Sequence, residues 1–420
     1  MKILQINKTD VGGGAAVAAG RLNRALRQAG VESKLLVQDR KGQESGVYAA
    51  GGGVFYAYKA FARFAWERLM FLPHERDASV RFAFSPANTG MDISRHPLVQ
   101  EADVIHIHWI NQGFLSLNSL NKLLNCGKPV VWTQHDMWTF TGGCHYAGEC
   151  TAYKTGCAFC PFLKRPGKHD LSSRVFAGKQ KIYSEKRLSV VACSAWLRDL
   201  AKKSALLHGK DYCNIPNPID TEFYMPRNAN EARDRLSLPR GKRLLLFGAA
   251  NVNDPRKGMR YLMEALDLLA RQYPNLKEEV ELVVFGKMQE DTSRLLPFKT
   301  HMLNFISNPE TLVDLYSAAD VYVLPSLQDN LPNTVMEALA CGTPVVAFGI
   351  GGVPEMVKHK EMGYLADKGD ANSLAAGIYD TLLQADRLSY RARARQKVLD
   401  KYAEAHVAQQ YIDLYKTLLR

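Results

Sequence analysis

The sequence lacks any long uninterrupted apolar run. Its richest aromatic segment, Phe55–Phe84, is broken by Lys59, Arg63 and Arg68, and no stretch approaches the ~18 apolar residues that a membrane-spanning helix needs. The first residues, MKILQINKTD, show no basic region followed by an apolar stretch, which is the pattern of a signal peptide. These absences argue against a membrane span and predict a cytoplasmic protein.

The sequence also lacks low-complexity tracts, a fixed-period repeat and an excess of acid. Its 420 residues, 46% of them apolar, predict two globular domains. Lys and Arg total 54 against 42 Asp and Glu, a net charge of +12 that favours anionic partners. Phe55–Phe84 suits a basic helix resting peripherally on an anionic membrane or a core helix with a solvated basic edge. Both interpretations stay open, whereas a nucleic-acid partner is not expected.

Short apolar runs alternate with helical patterns, which is typical of parallel sheets covered by helices. We therefore predict an α/β protein with two doubly wound halves, separated by the Pro-rich segment Ile215–Pro226. The predicted domains are residues 1–225, with a Cys-rich insertion at 142–162, and residues 240–402, followed by a helix at 403–420 that packs back on the first. Strands are expected at Lys2–Asn7, Lys34–Gln38, Val104–Trp109, Val130–Gln134, Val190–Cys193, Leu244–Ala249, Glu281–Phe285, Val321–Pro325 and Val345–Phe348. Helices in the second half are expected at Met259–Gln272, Leu312–Ala319, Pro332–Cys341 and Ala371–Gln384, with a final helix at His406–Leu419.

A glycine-rich loop follows the first predicted strand. Gly13 and Gly14 let the backbone approach a ligand closely, and the amides at the start of the next helix can hold an anion. A dinucleotide-binding oxidoreductase fits poorly, since Val17 stands where the third small residue of that fingerprint should pack. A phosphate-facing loop and a plain strand-to-helix turn both remain open.

The segment Pro325–Val346 carries the strongest pattern. A buried strand stops at Pro325, Pro332 suits the first turn of a helix, and Gly342 can end that helix. The loop before the helix presents backbone amides to a diphosphate; its candidate binding residues are Asn330, Leu331, Asn333 and Thr334. Since a carboxylate would repel a phosphate, Asp329 and Glu337 are expected to bind neutral sugar hydroxyls.

This segment resembles the retaining glycosyltransferases of family 4, whose mark is two acids separated by seven residues just after a strand that ends in Pro-Ser. Asp329 and Glu337 match that pair, with Asp where most members carry Glu. The resemblance implies the GT-B fold, in which two Rossmann-like lobes face a central cleft. It also implies a first lobe that takes the acceptor and a second lobe that takes the nucleotide sugar.

Further segments resemble the same family. Gly248–Gly258 is similar to its donor loop, where Arg256 and Lys257 would neutralise the diphosphate, and Gly351–Glu355 is similar to a later donor-side loop. His135 matches the family's His-Asp element and is expected to touch the transferred sugar. His106 and His108, on the neighbouring strand, are interpreted as structural.

Four cysteines, Cys144, Cys150, Cys157 and Cys160, fall within seventeen residues of the chain. In a reducing cytoplasm, four thiolates around a structural zinc are the physical default for such a density. His145 could replace one sulfur, and free or redox-paired thiols and an iron–sulfur cluster are the alternatives. A similar Thr-Gly-Gly-Cys-His-Tyr segment occurs in the exopolysaccharide and colanic-acid branch of the family.

The resemblance implies transfer of a hexose-type sugar from a UDP- or GDP-sugar to an acceptor hydroxyl with retention of configuration. A lipid-linked saccharide in cell-surface polysaccharide synthesis is the expected acceptor. No Asp is followed two residues later by another Asp, so no catalytic metal is expected and protein groups must meet the diphosphate charge. The alternatives are a sugar-nucleotide epimerase of GT-B architecture and a basic protein that binds a membrane or nucleic-acid surface.

Overall fold

The computed structural model describes residues 1–420 except 185–187, 252–253, 288–295, 305, 307 and 384–385. The chain divides into two compact units. The first consists of Met1–Pro218 and Val407–Arg420, and the second of Ile219–His406. The division therefore falls inside the Pro-rich segment that the sequence analysis singled out.

The first unit is built on one parallel sheet. Its strands are β1 (Lys2–Thr9), β2 (Glu32–Asp39), β3 (Val47–Ala49), β4 (Val104–Ile107), β5 (Val130–Gln134), β6 (Leu188–Ala192) and β7 (Asp211–Asn214). Their order across the described sheet is β3-β2-β1-β4-β5-β6-β7. Its helices are α1 (Gly14–Gln28), α2 (Val54–Phe71), α3 (Pro97–Glu101), α4 (Leu117–Leu124), α5 (Leu171–Tyr183) and α6 (Ala195–Lys202).

The second unit repeats this architecture. Its strands are β8 (Arg243–Asn251), β9 (Val280–Lys287), β10 (Thr300–Leu303), β11 (Val321–Leu324), β12 (Val345–Phe348) and β13 (Gly363–Ala366), in the order β10-β9-β8-β11-β12-β13. Its helices are α7 (Ala229–Arg235), α8 (Met259–Gln272), α9 (Leu276–Glu279), α10 (Pro309–Ala318), α11 (Asn333–Ala340), α12 (Val353–Met356), α13 (Ala371–Leu383) and α14 (Arg387–Lys401). The last helix, α15 (Glu404–Leu418), begins in the second unit and ends in the first.

The first sheet is buried on both faces, as its continuous apolar strands require. Side chains alternate between the faces of a strand, so Val104 packs with Tyr411 and Tyr415 of α15 while Ile105 packs in the larger cluster on the other side. His106 shares the face of Val104, and its Nδ1 lies 2.6 Å from the Tyr415 hydroxyl. Apolar packing and hydrogen bonds thus hold the end of the chain against the first sheet.

The predicted α/β class with two doubly wound sheets is confirmed. The structure begins the helix after Pro325 at Asn333, so Pro332 immediately precedes this helix instead of lying in its first turn as predicted. Gly342 follows its end with φ 72°, the left-handed conformation that stops a helix. Gln384, the predicted last residue of α13, lies outside the described residues.

No described helix is both long enough and apolar enough to span a membrane.

Candidate functional site

In each sheet the strand order reverses at one point, and the candidate residues follow the strands on either side of it. In the first unit β1 and β4 are neighbours at this reversal, and in the second unit β8 and β11 are. Loops at the carboxyl ends of such strands diverge and leave a crevice, where ligands bind in open α/β sheets. Each unit therefore offers one rim: the first rim lies after β1, β4 and β5, and the second rim after β8, β11 and β12.

A close backbone approach brings the loops of the second rim together. After β8, a short 3₁₀ turn (Pro255–Lys257) leads to Gly258, whose φ is 72°. A Cβ atom at Gly258 would lie 1.8 Å from the carbonyl oxygen of Pro325, so only glycine fits. The Leu327 N–H also donates to the carbonyl of Arg256 at 2.8 Å. The loop that carries Arg256 and Lys257 is thus held against the end of β11.

This approach places Lys257 against Asp329. The Lys257 ammonium donates to Asp329 Oδ2 at 2.8 Å, and the two side chains keep 31% and 16% exposure. A Cβ atom at Gly351 would lie 1.8 Å from the carbonyl oxygen of Asp329, and the Gly352 N–H donates to the carbonyl of Asn330 at 2.7 Å. Three loops therefore hold a partly exposed ammonium, which has three donors and can also bind an anion.

Glu337 lies deeper, on α11, with 6% exposure. The buried hydroxyl of Tyr316 donates to Glu337 Oε2 at 3.1 Å and so orients the carboxylate. Tyr322 on β11 is buried where the charges of both acids reach it. Burial raises the pKa of Tyr322 most, and the charges of Asp329 and Glu337 raise it further, while a hydrogen bond with Thr334 opposes them. Both predicted acids thus act on one buried phenol.

The four predicted binding residues lie just before and at the start of α11. Asn330 and Leu331 are buried, Asn333 and Thr334 are partly exposed, and no side chain caps the start of the helix. The structure places Lys257, and not Arg256, against Asp329. The half-exposed Arg256 guanidinium pairs with Asp254 at 2.6 Å.

In the first rim, the glycine loop leads directly into α1. Gly12 and Gly13 have φ values of 81° and 90°, which side chains rarely adopt, although a Cβ atom at either would meet nothing within 4 Å. Gly14 is the first residue of α1, whose start has no side-chain cap and no acid in its first turn. Asp10 holds the loop by accepting from the amides of Lys41 and Gly42, both at 2.8 Å.

A chain of hydrogen bonds fixes His135. Gln5 donates its amide to Ser33 at 3.1 Å, so its Oε1 accepts from His108 Nε2 at 2.9 Å. His108 Nδ1 then accepts from His135 Nε2 at 3.0 Å, which leaves His135 Nδ1 as the acceptor that faces the Cys193 sulfur at 3.6 Å. This order applies to neutral imidazoles.

Burial keeps these rings neutral. Desolvation lowers the pKa of His135 to about 4 and that of His106 to about 3, and it lowers the pKa of His108 well below the ordinary value. His106 and His108 are hydrogen-bonded inside the sheet, as a structural role requires. His135 is partly exposed and offers a ligand a neutral ring.

Several residues beside His135 were given no role at this rim by the sequence-based predictions. Asp136 accepts from Trp109 Nε1 at 3.0 Å and pairs with His145 Nδ1 at 2.7 Å. Burial opposes ionisation of Asp136, but the charge and hydrogen bond of His145 together hold its pKa below the usual value. Asn111 Nδ2 and Gln134 Oε1 are buried and find no hydrogen-bond partner among the residues that the structure describes, and both residues line a small pocket with His135. Only the polar run Gln134–Asp136 at a strand end signalled this pocket in the sequence.

The four clustered cysteines line one small cavity in the first unit. All four are free thiols. Burial raises the pKa of Cys157 to about 12 and that of Cys160 to about 11, so these thiols are protonated at neutral pH. His145 points elsewhere, to Asp136 and Ser85. Among the described residues no three His, Cys, Asp or Glu side chains are arranged to hold a metal ion, so zinc binding stays a prediction without support from this geometry.

Comparison with known proteins places these features in a family. The profile described as Glycosyltransferase Family 4 matches residues 12–223, and the profile described as Glycosyl transferases group 1 matches residues 241–384. The chain is 26% identical over 431 residues to WcaC of Escherichia coli K12, whose name assigns it to colanic acid biosynthesis as a glycosyl transferase; the match covers 100% of both chains.

Solved structures show the same fold. Sucrose-phosphate synthase from Thermosynechococcus elongatus superposes with a TM-score of 0.67 at 18% identity, over 100% of this chain and 99% of that one. HepE from Anabaena, in complex with UDP-glucose, superposes with a TM-score of 0.62 at 16% identity, over 99% of this chain and 100% of that one. The GT-B fold expected from the sequence is thereby confirmed.

Proposed function

The chain belongs to glycosyltransferase family 4, and from this premise we propose that it transfers a hexose-type sugar from a UDP- or GDP-sugar to a hydroxyl of a lipid-linked saccharide. The family membership establishes a glycosyltransferase that uses nucleotide sugars. The names of two relatives support the finer assignment: WcaC belongs by name to colanic acid biosynthesis, and HepE was solved with UDP-glucose. We place the reaction in exopolysaccharide synthesis at the inner face of the cell membrane.

One observation carries the proposal: the ion pair of Lys257 and Asp329 lies beside Glu337 at the strand-order reversal of the second unit. The ammonium of Lys257 meets the diphosphate, where negative charge grows as the glycosidic bond breaks. The backbone amides at the start of α11 face the same charge. The sequence has no Asp-x-Asp motif, so in this proposal protein groups supply this stabilisation.

The two carboxylates bind hydroxyls. Glu337, held in place by Tyr316, accepts from the hydroxyls at one end of the nucleotide sugar. Asp329 accepts from the hydroxyls of the transferred sugar while it keeps Lys257 in position. Hydrogen bonds that involve a carboxylate are roughly twice as strong as neutral ones, so both acids contribute to donor affinity.

The first rim receives uncharged groups in this proposal. His135 contacts the transferred sugar with a neutral ring. The orphan donor of Asn111 and the orphan acceptor of Gln134 can each bind a hydroxyl or a water, which would remove the cost of their burial. The glycine loop at Gly13 and Gly14 faces the departing phosphate.

The proposed transfer retains configuration. The bond between the anomeric carbon and the phosphate oxygen breaks, and the acceptor oxygen forms its bond to the same face of that carbon. The acceptor proton passes to an oxygen of the departing phosphate. No covalent sugar–enzyme intermediate is required.

Donor binding tests the proposal. A panel of UDP-, GDP-, ADP- and CMP-sugars is screened by thermal shift, since a ligand that binds only the folded protein must raise its melting temperature. We expect one UDP- or GDP-sugar to stabilise the protein. Glu337→Ala should weaken its affinity roughly 100-fold, the loss of a charge-assisted pair of hydrogen bonds, without changing the melting temperature of the free protein by more than a few degrees.

Glu264→Ala is the matched control, because Glu264 is an exposed acid of the same unit that pairs only with a surface arginine in the contacts described. It should leave donor affinity unchanged. The proposal is wrong if no nucleotide sugar stabilises the protein, or if Glu337→Ala binds the donor normally. Conversion of the nucleotide sugar without any acceptor would indicate the epimerase instead.

A further inference from the structure

Helix α2 exposes an apolar stripe to solvent. The stripe, called here the α2 face, follows the 3–4 spacing of one helix side and continues one residue past the helix end. Its members and their exposed fractions are Val54 (89%), Phe55 (70%), Tyr58 (68%), Phe61 (65%), Trp66 (54%), Leu69 (57%) and Leu72 (48%). Surface helices of globular proteins normally turn their apolar stripe to the core and their polar side to water. Helix α2 differs, because apolar side chains also occupy the side that faces solvent.

The opposite side of α2 is anchored in the first unit. Ala60, Glu67 and Phe71 are buried there, and Glu67 accepts from the Gly113 amide at 2.9 Å. A Cβ atom at Gly113 would lie 2.7 Å from the backbone nitrogen of Phe64, so loop and helix are in tight contact. The α2 face therefore belongs to a helix held firmly in place.

This anchoring links the α2 face to the first rim. Gly113 lies in the loop that leaves β4, only a few residues after His108 and Trp109, which contact His135 and Asp136. Helix and rim belong to the same unit. A surface that binds the α2 face would thus lie beside the rim that the proposed function assigns to sugar hydroxyls.

The charges on α2 favour an anionic partner. Lys59 is exposed, with its ammonium 4.3 Å from the centre of the Phe55 ring, and Arg63 is partly exposed. The single acid of the helix, Glu67, is fully buried and bonded to Arg68 and Gly113. A second copy of the chain would bring the same basic residues and no exposed acid from this helix to meet them.

We propose that the α2 face lies in the interfacial layer of a bilayer that contains anionic lipid. Phe, Leu and Val side chains reach toward the acyl chains, Tyr58 and Trp66 occupy the headgroup level where such rings accumulate, and Lys59 and Arg63 meet lipid phosphates. The link to catalysis rests on the proposed function, because a lipid-linked acceptor would be held in the same bilayer. Binding to lipid itself does not depend on that function.

Vesicle flotation of the full chain tests the inference. Vesicles of phosphatidylcholine alone are compared with vesicles that contain 30% phosphatidylglycerol, and neither contains an acceptor. We expect the protein to float with the anionic vesicles and the combined variant F55S/Y58S/F61S to bind them at least tenfold more weakly. The variant K59E/R63E should lose the preference for anionic lipid. Phe159→Ser is the control, since Phe159 is 66% exposed elsewhere in the first unit.

Each outcome decides the inference. Failure of the unsubstituted protein to float, or equal flotation of the triple variant, overturns it. If the unsubstituted protein does not float but forms dimers in light scattering, and the triple variant is monomeric, the α2 face binds a second copy of the chain instead. Binding of the nucleotide sugar is measured on the same samples. A triple variant that no longer binds vesicles but keeps its affinity for the nucleotide sugar supports the inference. An unsubstituted protein that binds vesicles but no nucleotide sugar would count against the proposed function alone.

Discussion

The second rim holds a lysine–aspartate ion pair, whereas the first rim presents a neutral histidine ring beside the pair of Asp136 and His145. In the second, Lys257 and Asp329 form a partly exposed ion pair beside Glu337. In the first, desolvation keeps the partly exposed ring of His135 uncharged, with a pKa of about 4, and it also keeps the rings of His106 and His108 uncharged inside the sheet. Two sheets with the same order of central strands thus carry different chemical groups at their carboxyl ends. The strand order fixes where the loops lie, and the loop residues fix the charge found there.

Acid stability should show the largest difference between the two units. The three buried histidines stay neutral in the folded state, whereas in the unfolded chain each takes up a proton below its ordinary pKa of about 6.5. The stability that the neutral histidines contribute is therefore present above about pH 6.5, and it is lost as the pH falls from there toward their pKa in the folded protein. Between pH 7 and pH 5 the loss is about 2 kcal/mol for a histidine with the folded pKa of His106 or His135, and His108 acts in the same direction.

The measurement is urea unfolding followed by tryptophan fluorescence. All five tryptophans, Trp66, Trp109, Trp132, Trp138 and Trp196, lie in the first unit, so the signal reports on that unit alone. His135→Gln should lessen the pH dependence, and His208→Gln, at an exposed position, should not change it. Lys179 contributes much less than a histidine in this range, because burial lowers its pKa only to about 7 and it is already about half protonated at pH 7. An unfolding midpoint in urea that does not change between pH 7 and pH 5 would show that the folded protein does not keep these histidines neutral.

Lys257→Ala should have the second-largest effect. In the proposed function Lys257 faces the departing diphosphate, and loss of one such group costs about 10²–10³-fold in kcat. Initial rates of transfer with the preferred donor measure it. Arg260→Ala is the matched control, because Arg260 is 79% exposed on the same unit and pairs with Glu264. Rates within threefold of the unsubstituted enzyme would show that charge in the second rim is not catalytic.

His135→Gln should have the smallest effect on transfer. In the proposed function the neutral ring of His135 makes about one hydrogen bond to the sugar, so kcat/KM should fall roughly tenfold while donor affinity changes little. The pH profile of kcat/KM should keep its shape near neutral pH, since the ring that the substitution removes is already neutral there. A 10³-fold loss would make the first rim as important as the second and remove the distinction between them.

The sequence predicted the centres of both sheets but not their edges. The four strands that it missed, β3, β7, β10 and β13, are the four outer strands. Central strands are buried on both faces and appear as continuous apolar runs such as Val130–Gln134. Edge strands are short and mix polar with apolar residues, as in Asp211–Asn214 and Thr300–Leu303, because one side of them faces solvent.

The site could be predicted only one segment at a time. The seven residues between Asp329 and Glu337 are visible in the sequence, as are the basic residues of the donor loop. Lys257 and Asp329 are 72 positions apart in the chain, and their contact depends on β8 and β11 being neighbours in the sheet. The pairing of Asp136 with His145 likewise requires a loop that folds back on the rim.

Local patterns were enough to predict the α/β class, the two sheets and the residue types that can bind a nucleotide sugar, because hydrophobic period and turn residues are local properties. The contact between Lys257 and Asp329, the loss of charge from three histidines and the exposed aromatic face of α2 are visible only in the folded chain. Charge state and exposure depend on neighbours that the fold brings from distant segments, and no local pattern contains them.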